Sequence, residues 1–333
     1  MGKLALVLGC LGFIGSETMR RLHKLGWGVI GVDSCIGSGE ENLEFYEYRL
    51  GQLSDVGRVF QNDFESWCGQ YGGVLPDVVV NCAAVAGVRA SFLEPHRAAV
   101  NNYSMVAKLL EWMDTKGIRF LVQSSTSSVY AGHNPPFSES AKPGLQLSPY
   151  SASKLAAENL IRTWALQRDI RYCVLRYFTV VGPLGRRDML LQRLIESAID
   201  GREVEIYGNR TRSFTDVRDV AEANVAAANS LFTGGPAAGQ TLNIGNPSNV
   251  FSVERVIALV DQLAKKNGWG GEAEDSRLNL MRMNEDPADM PETDTFITKA
   301  QNCLRWTPHI DLEQTIFDAG TAYEEFRECT GAA

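Results

Sequence analysis

Short apolar runs alternate with amphipathic segments along the first 180 residues of the chain. The apolar runs are Leu4–Leu8, Gly28–Asp33, Asp77–Asn81, Arg119–Gln123 and Tyr172–Arg176. Short continuous runs of this kind are typical of parallel strands that are buried on both faces. Helical patterns separate them, at about 16–25, 96–116 and 149–168. Repeated strand–helix units predict an α/β fold built on a doubly wound parallel sheet with right-handed crossovers.

The pattern becomes less regular after about residue 180. Short strands are expected at 204–207 and 241–244, and helices at about 189–200, 218–232 and 252–266. The polar stretch Gly268–Pro291 predicts largely irregular structure, and two further helical patterns close the chain. We predict a larger domain over residues 1–178, joined by parts of 215–250. A smaller mixed α/β domain over residues 179–333 would carry the substrate, with a cleft between the two.

Composition argues against several classes of function. The chain has 333 residues and a formal net charge of -8, which argues against binding to nucleic acid through its phosphates. Seven cysteines are scattered without a CxxC pair, which favours the reducing cytoplasm, and the four histidines lie too far apart to suggest a metal site. No apolar run is long enough to span a bilayer, so no membrane is expected as a partner.

Three glycines lie directly between the first strand and the first helix. Gly9, Gly12 and Gly15 form a GxxGxxG pattern, with Phe13 and Ile14 inside it. The first two glycines permit a tight turn and close approach of the backbone to a pyrophosphate, and the third permits helix–strand packing. The N-terminus of the helix then presents free N–H groups to the phosphates. In this context a Rossmann dinucleotide site is favoured over an ordinary glycine-rich turn.

An acidic residue ends the second strand. Asp33 lies 18 residues beyond Gly15, where a carboxylate can accept hydrogen bonds from the ribose hydroxyls of adenosine. A carboxylate there repels a 2′-phosphate, and neither Arg nor Lys follows nearby. NAD is therefore favoured over NADP.

A tyrosine and a lysine are spaced four residues apart at the start of a helical pattern. Tyr150 and Lys154 would lie on one face of a helix that begins after Ser148, a good N-cap, with Pro149 as its first residue. An isolated tyrosine has a pKa of about 10, and a neighbouring ammonium and a positive nicotinamide ring would favour its phenolate. An amphipathic surface pair is the alternative, but downstream of a dinucleotide loop a catalytic role is favoured.

These segments together resemble the extended short-chain dehydrogenase/reductase family of NAD-dependent epimerases and dehydratases. The matching segments are Gly9–Gly15, Asn81–Ala84, Ser124–Tyr130, Tyr150–Lys154, Arg176–Pro183, Arg212–Asp219, Asn243–Gly245 and Pro287–Asp294. The resemblance implies a tightly held NAD and a nucleotide-sugar substrate. It implies that Thr126 hydrogen-bonds the reacting sugar hydroxyl and that Tyr150 is the base. Lys154 would lower the pKa of that base and hold the nicotinamide ribose.

The same resemblance implies a set of cofactor contacts. They are Gly9, Gly12, Phe13, Ile14, Gly15, Asp33, Gln52, Leu53, Ala83, Ala84, Asn102, Tyr150, Lys154 and Tyr177. After the third strand, members of the family typically have Gly-Asp-Ile or Gly-Asp-Leu, with the Asp on the adenine amino group. We match Gly51-Gln52-Leu53 to that position, where the Gln carbonyl can accept the same hydrogen bond without charge.

Local differences favour one substrate. Dehydratases of the family have Asp-Glu where this chain has Ser127 and Ser128, and decarboxylases usually have Glu at the position of Ser128. Galactose-type epimerases usually have Asn in place of Thr179. The segment Phe178–Met189 resembles that of the UDP-glucuronate 4-epimerase subfamily. Hydroxyl groups and a guanidinium suit a sugar carboxylate, although Ser and Thr clusters also commonly end strands. The residues expected at that carboxylate are Thr126, Ser127, Ser128, Thr179 and Arg186.

Further contacts and alternatives follow from the resemblance. Substrate contacts would also come from Val88, Arg89, Arg212 and Asp289, with surface ion pairs as the alternative for the charged ones. A homodimer is expected through the helices at 96–116 and 149–168, although their apolar residues can equally pack on the sheet. The residues in question are Val106, Leu109, Leu110 and Met113. Another nucleotide-sugar 4-epimerase, decarboxylase or dehydratase, or a catalytically silent NAD-binding scaffold, remains an alternative.

Overall fold

The computed structural model describes residues 2–36, 42–271, 278–285 and 289–331. Its strands are β1 (Leu4–Leu8), β2 (Gly28–Asp33), β3 (Arg58–Gln61), β4 (Val78–Asn81), β5 (Phe120–Thr126), β6 (Arg171–Tyr177), β7 (Thr179–Val181), β8 (Glu203–Tyr207), β9 (Thr211–Asp216), β10 (Gln240–Ile244), β11 (Val250–Ser252) and β12 (Asn279–Met283). Seven strands form one sheet in the order β10-β6-β5-β4-β1-β2-β3. All its neighbouring strands are parallel, which confirms the predicted doubly wound sheet.

The helices cover both faces of this sheet and build the second half of the molecule. They are α1 (Phe13–Lys24), α2 (Leu43–Gln52), α3 (Phe64–Gln70), α4 (Val88–Leu93), α5 (Pro95–Ala99), α6 (Met105–Lys116), α7 (Pro149–Ala165), α8 (Leu190–Asp200), α9 (Val217–Phe232), α10 (Val253–Asn267), α11 (Thr298–Leu304) and α12 (Leu312–Thr330). A π-helical turn, Val100–Ser104, joins α5 to α6, and a 3-10 turn, Ser127–Tyr130, follows β5. Because Gly12 is extended and acts as the N-cap, α1 begins three residues earlier than predicted.

The strands bury both faces, as their apolar sequences require. One face packs against α1, α9 and α11 around Ala5, Val7 and Leu242. The other packs against α3, α6 and α7 around Leu6 and Leu121. The apolar residues that we considered for a dimer interface belong to this second core and are at most 1% exposed, so they pack on the sheet. They give no support to a dimer, and the homodimer remains a prediction.

The chain leaves the large sheet after β6 and returns to it at β10. Between and after these strands, β11, β9 and β7 form a second sheet, and β12 pairs in parallel with β8. A separate core, which includes Ile195, Val260 and Ile316, joins α8, α10 and α12. Within Gly268–Pro291, which was predicted to be largely irregular, the structure adds one short strand, β12. Most of the β12 side chains are exposed, so the strand lacks an apolar pattern. Residues 272–277 and 286–288 of the stretch lie outside the described part.

Two findings bear on composition. The seven cysteines are all unpaired. The cytoplasmic location remains a prediction. Within the described residues, none of the helices has both the length and the apolar character needed to cross a membrane.

Candidate active site

The glycine loop is built by close backbone contacts that exclude side chains. Gly9 has a φ of +74°, and a Cβ on it would lie 2.7 Å from the backbone of Ala83, in the loop after β4. A Cβ on Gly15 would lie 2.0 Å from the carbonyl oxygen of Gly9. Glycine is therefore required at both positions, because a larger residue would displace the backbone. Because no side chains cover this part of the loop, a ligand can approach its main chain directly.

The start of α1 and the end of β2 complete this binding edge. The N–H of Ser16 bonds to the Gly12 carbonyl at 3.0 Å, so the N–H groups of the preceding turn remain available at the helix N-terminus. The Asp33 carboxylate accepts the N–H groups of Leu11 and Cys35, each at 2.8 Å. Burial raises the pKa of Asp33, and these N–H groups oppose that shift. The glycine loop, the N-terminus of α1 and the Asp33 carboxylate together fit a dinucleotide.

The structure corrects the residues assigned to the end of the third strand. Gln52 ends α2, with its Oε1 accepting a hydrogen bond of 2.6 Å from Arg20, and Leu53 is the buried C-cap. The third strand is β3, which is followed by Asn62 and Asp63. The N–H of Asn62 bonds to the Asp33 carbonyl at 2.8 Å. The expected place of Gln52 and Leu53 was therefore wrong, and a carboxylate does follow the strand.

The predicted catalytic helix begins as expected. Ser148 is the N-cap of α7, and its Oγ accepts the N–H of Ser151 at 3.1 Å. In return, the Ser151 Oγ accepts the backbone N–H of Ser148 at 3.3 Å. Pro149 is the first helical residue. This capping box fixes the first turn of the helix, so the position of Tyr150 in that turn is well defined.

The pKa of Tyr150 responds mainly to burial and to Arg186. Burial raises the pKa of the Tyr150 hydroxyl above its usual value, while the positive charge of Arg186 and a hydrogen bond with Thr126 lower it. Burial lowers the pKa of Lys154 to about 8, and its electrostatic neighbours are Cys82 and Glu158. The structure thus adds Arg186 as a cation that acts on Tyr150. The role of Lys154 at the base remains a prediction.

A buried ionic network lies beneath this site, which sequence reasoning did not find. Glu158 is fully buried and accepts hydrogen bonds from Ser125 Oγ at 2.6 Å, from Arg162 at 2.7 Å, and from Arg176 at 2.9 and 2.7 Å. It follows Lys154 by four residues on α7, so it lies on the same face of the helix. The only signal in the sequence was this spacing. The network ties α7 to β5 and β6 directly under the Thr126 end of the strand.

The hydroxyl residues expected at the sugar lie where β5 ends and β7 begins. The Thr126 Oγ1 donates to Ser128 Oγ at 3.1 Å and accepts the N–H of Ser128, so the two hydroxyls lie side by side. Thr179 is the first residue of β7. Arg186 is paired with Asp188 through two hydrogen bonds, one from Nε to Oδ1 at 2.9 Å. This pairing holds the guanidinium on the side of the site that Tyr150 occupies.

Other predicted contacts have partners within the protein. The guanidinium of Arg89, which follows Val88 on α4, lies 3.6 Å from the ring centroid of Tyr207. Arg212 donates to Asp289 at 2.7 Å, so the two residues expected at the nucleotide form an ion pair with each other. Their contacts with a ligand remain predictions.

Two of the residues predicted to contact the cofactor form hydrogen bonds with other residues around the site. Asn102 bonds to both the N–H and the carbonyl of Val85, at 2.8 and 2.9 Å, and so holds the loop after β4. The Tyr177 hydroxyl bonds to Ser124 at 2.9 Å and to Asn224 at 2.6 Å. Ala83 and Ala84 lie in the same loop as Val85, beside the glycine loop.

One group of side chains has the spacing of metal ligands in the described part of the chain: Asp219, Glu222 and His309. The Asp219 carboxylate accepts the N–H groups of His309 and Ile310, both at 3.1 Å. Glu222 pairs with Arg21 at 2.6 Å. These bonds explain the cluster as a support for the turn that precedes α12.

The chain is similar to NAD-dependent enzymes along most of its length. Residues 5–245 match the NAD dependent epimerase/dehydratase family. The chain belongs to this family. It is 33% identical over 314 residues to the UDP-glucuronate 4-epimerase of Thermodesulfobacterium geofontis, a match that covers 93% of this chain and 92% of that relative.

Solved structures share its fold. The UDP-glucuronic acid 4-epimerase of Bacillus cereus, in complex with UDP-glucuronic acid and NAD, is 27% identical with a TM-score of 0.82, over 97% of this chain and 99% of that one. The UDP-glucose 4-epimerase of Thermotoga maritima, with UDP-glucose, is 26% identical with a TM-score of 0.80, over 97% and 99%. The predicted family, NAD cofactor and enzyme class are confirmed, and the chain stands among NAD-dependent nucleotide-sugar epimerases.

Proposed function

We propose that this protein is a UDP-glucuronate 4-epimerase, which interconverts UDP-glucuronate and UDP-galacturonate through a transient 4-keto sugar. The observation that carries the proposal is the set of hydroxyl groups at the end of β5, where Ser127 and Ser128 replace the acids of dehydratases and decarboxylases. Arg186 supplies a positive charge at the same site. The names of the relative from Thermodesulfobacterium geofontis and of the Bacillus cereus structure support the choice of sugar.

In this mechanism Tyr150 removes the proton of the sugar C4 hydroxyl, and Thr126 hydrogen-bonds the same oxygen. NAD, when bound, accepts the C4 hydride and returns it to the opposite face of the sugar, so the reaction is redox-neutral. Tyr150 then gives its proton back to the C4 oxygen. Arg186 favours the phenolate form of Tyr150 that this transfer needs.

The sugar carboxylate needs firm placement because oxidation at C4 puts a ketone β to it. Such β-keto acids lose CO2 when the carboxylate is aligned with the ketone. Hydroxyl groups of Ser128 and Thr179 can hold the carboxylate by charge-assisted hydrogen bonds, away from that alignment. Serines at 127 and 128 offer no carboxylic acid to protonate the carbon that loses CO2. We propose that this arrangement separates epimerisation from decarboxylation.

The substrate is tested by incubating the purified protein with UDP-glucuronate and following the products by NMR. We expect UDP-galacturonate, with kcat/KM about 10- to 100-fold higher than for UDP-glucose, because hydrogen bonds to a charged group contribute about 1.5–3 kcal/mol. UDP-glucose serves as the matched control without the carboxylate. A UDP-pentose product would indicate a decarboxylase, and faster conversion of UDP-glucose would indicate a neutral-sugar enzyme. If neither sugar is converted, the result would favour the alternative of a catalytically silent NAD-binding scaffold.

We also propose which residues hold the cofactor. The pyrophosphate lies on the N–H groups at Phe13 and Ile14, the adenosine ribose on Asp33, and the nicotinamide ribose on Lys154. Asp63 takes the adenine position that the sequence comparison gave to Gln52. It follows β3, which pairs with β2, so it lies at the same edge of the sheet as Asp33.

Asp63→Ser tests the adenine contact. Asp63 is also the N-cap of α3, accepting the N–H of Ser66 at 2.8 Å, and serine preserves that cap while removing the carboxylate. We expect about 10-fold weaker binding of NAD, measured by calorimetry, because one hydrogen bond to a charged group is lost. Gln52→Ala is the control and should bind NAD normally. The reverse outcome, with weakened binding only in Gln52→Ala, would restore the original assignment.

A further inference from the structure

Arg49 is a buried cation that joins two loops of the active site. It lies on α2 and is 4% exposed. Its Nη1 donates to the Leu11 carbonyl at 3.0 Å, and its Nη2 donates to the Leu184 carbonyl. Burial lowers the pKa of Arg49 to about 10, so the side chain stays charged at neutral pH. The rings of Phe45 and Tyr46 lie within 6 Å of the guanidinium, at 5.7 and 5.9 Å.

Each of the two carbonyls belongs to a loop that faces a different ligand. Leu11 lies in the glycine loop, and its N–H is already bonded to Asp33, so charged groups hold the two peptide groups on either side of its Cα. Leu184 lies two residues before Arg186 and has a φ of +51°. A left-handed conformation costs a residue other than glycine about 1–2 kcal/mol, so the loop needs an external bond to keep this shape. Arg49 supplies that bond.

Side-chain packing between the two loops is incomplete on the side of Arg49. A cavity of about 200 Å³ lies there, lined among others by Phe13, Arg49, Leu184 and Val217. The cavity lies beside the start of α1 and the loop before Arg186, and the planar guanidinium is a direct polar link between the two loops. A guanidinium fork has fixed donor directions, so a shift of one carbonyl changes the geometry offered to the other.

We infer that Arg49 is a positioning residue that couples the glycine loop to the Arg186 loop, so that NAD and the nucleotide sugar bind cooperatively. When NAD binds, it fixes the conformation of the glycine loop. Through its two hydrogen bonds, Arg49 then fixes the position of the Leu184 carbonyl and of the loop that carries Arg186. The nucleotide sugar therefore binds to a loop that is already in the conformation it requires. By linkage, the nucleotide sugar must then tighten the binding of NAD by the same factor. The inference rests on the proposed function only in taking a uridine nucleotide as the second ligand.

The coupling is measured as the effect of UDP on the release of NAD from the intact holoenzyme. Released NAD is timed after dilution, with and without saturating UDP, using an added dehydrogenase as the detector. In the parent protein we expect UDP to slow release about 5- to 150-fold, because coupling between two sites usually changes affinity by that factor and tighter binding appears mainly as slower dissociation. In Arg49→Ala the ratio should fall toward one. A folded Arg49→Ala with the parental ratio, or a parent without any effect of UDP, would overturn the inference.

Two variants separate coupling from general loss of structure. Arg49→Lys keeps the charge without the planar fork, so we expect a ratio between those of the parent and Arg49→Ala. It also provides a readout if Arg49→Ala does not fold. Arg20→Ala is the matched control, because Arg20 lines the same cavity but bonds to the side chains of Glu17 and Gln52. It should keep the parental ratio, and a loss in Arg20→Ala equal to that in Arg49→Ala would contradict the assigned role.

Chemical rescue adds a second readout. Arg49→Ala enlarges the cavity that Arg49 lines, so a free guanidinium ion can enter it. Millimolar guanidinium chloride is expected to restore part of the UDP effect, and an equal concentration of sodium chloride is not. Equal effects of the two salts would contradict a specific guanidinium link. Since the probe is UDP alone, failure to epimerise UDP-glucuronate would overturn the proposed substrate without changing this test.

Discussion

Tyr150→Phe is expected to lower kcat by about 10²–10⁴-fold while NAD stays bound. Phenylalanine keeps the ring and its packing but has no hydroxyl to accept the proton of the sugar C4 hydroxyl. The Thr126 hydroxyl cannot replace it, because an aliphatic alcohol is far too weak an acid to be present as its anion. Initial rates are measured by NMR with UDP-glucuronate, and bound NAD by absorbance of the purified protein.

The pH profile gives an independent check on the same residue. Burial raises the pKa of Tyr150, and the base is the phenolate, so kcat/KM of the parent should rise as the pH increases toward that pKa. The residual activity of Tyr150→Phe should lack this rise. Tyr71→Phe, which removes a surface hydroxyl bonded to the Val74 carbonyl at 3.0 Å, is the control and should behave like the parent. A Tyr150→Phe enzyme with more than about a tenth of the parental rate would refute the assigned base.

The parts of the fold that the sequence predicted correctly depend on short-range patterns. The strands β1 and β2 were predicted with their observed bounds because each is a continuous apolar run ended by glycine or a polar residue. The N-cap at Ser148 followed from side-chain chemistry within four residues. The glycine loop was identifiable because its strand and helix flank it directly. In each case the residues that decide the structure are close together in the chain.

The misplaced third strand shows the limit of such patterns. The strand β3 is four residues long and begins and ends with exposed polar side chains, so it gives almost no apolar signal. Gly51-Gln52-Leu53 then resembled the expected Gly-Asp-Leu more closely than Gln61-Asn62-Asp63 did. Parallel pairing of β3 with β2 is what identifies the strand, and that pairing joins residues about 28 positions apart.

The electrostatics of the site depend on contacts between distant segments and were not readable from spacing. Arg186 acts on Tyr150 from the loop after β7, 36 residues farther along the chain. Tyr150 and Lys154 do have the predicted i, i+4 spacing, but the groups that raise the pKa of Lys154 are Cys82 and Glu158. Spacing along a helix identifies which side chains share a face. It does not identify what the rest of the fold brings against that face.

The buried carboxylate of Glu158 shows how much such a contact can contribute to stability. Glu158 lies between Arg176, which is 2% exposed, and the more exposed Arg162. These hydrogen bonds and charges lower the pKa of Glu158 despite burial, which acts in the opposite direction. An ionised carboxylate in this position compensates the buried guanidinium of Arg176. Removing it would leave that guanidinium without its carboxylate in a site of low polarity.

Glu158→Met is therefore expected to lower the free energy of unfolding by about 3–5 kcal/mol at neutral pH, measured by urea denaturation. The half-buried surface pair of Glu17 and Arg20, with its 3.2 Å contact, offers the control, because Glu17→Met should cost at most about 1 kcal/mol. The double variant Glu158→Met/Arg176→Met removes both charges and should recover part of the loss. If the loss in the double variant equals the sum of the losses measured for Glu158→Met and for Arg176→Met alone, the two side chains do not interact.

The pH dependence follows from the direction of the shift. The folded-state pKa of Glu158 lies below its unfolded value, so its stabilisation is fully present above the unfolded pKa and disappears as the pH falls through the folded pKa. The difference in stability between the parent and Glu158→Met should accordingly shrink as the medium is acidified below the ordinary pKa of a glutamate. A difference that stays constant down to the folded pKa would mean that Glu158 stabilises through packing alone. Because Ser125 and Lys154 adjoin the same carboxylate, the stability of the sheet and the geometry of the active site depend on one charged group.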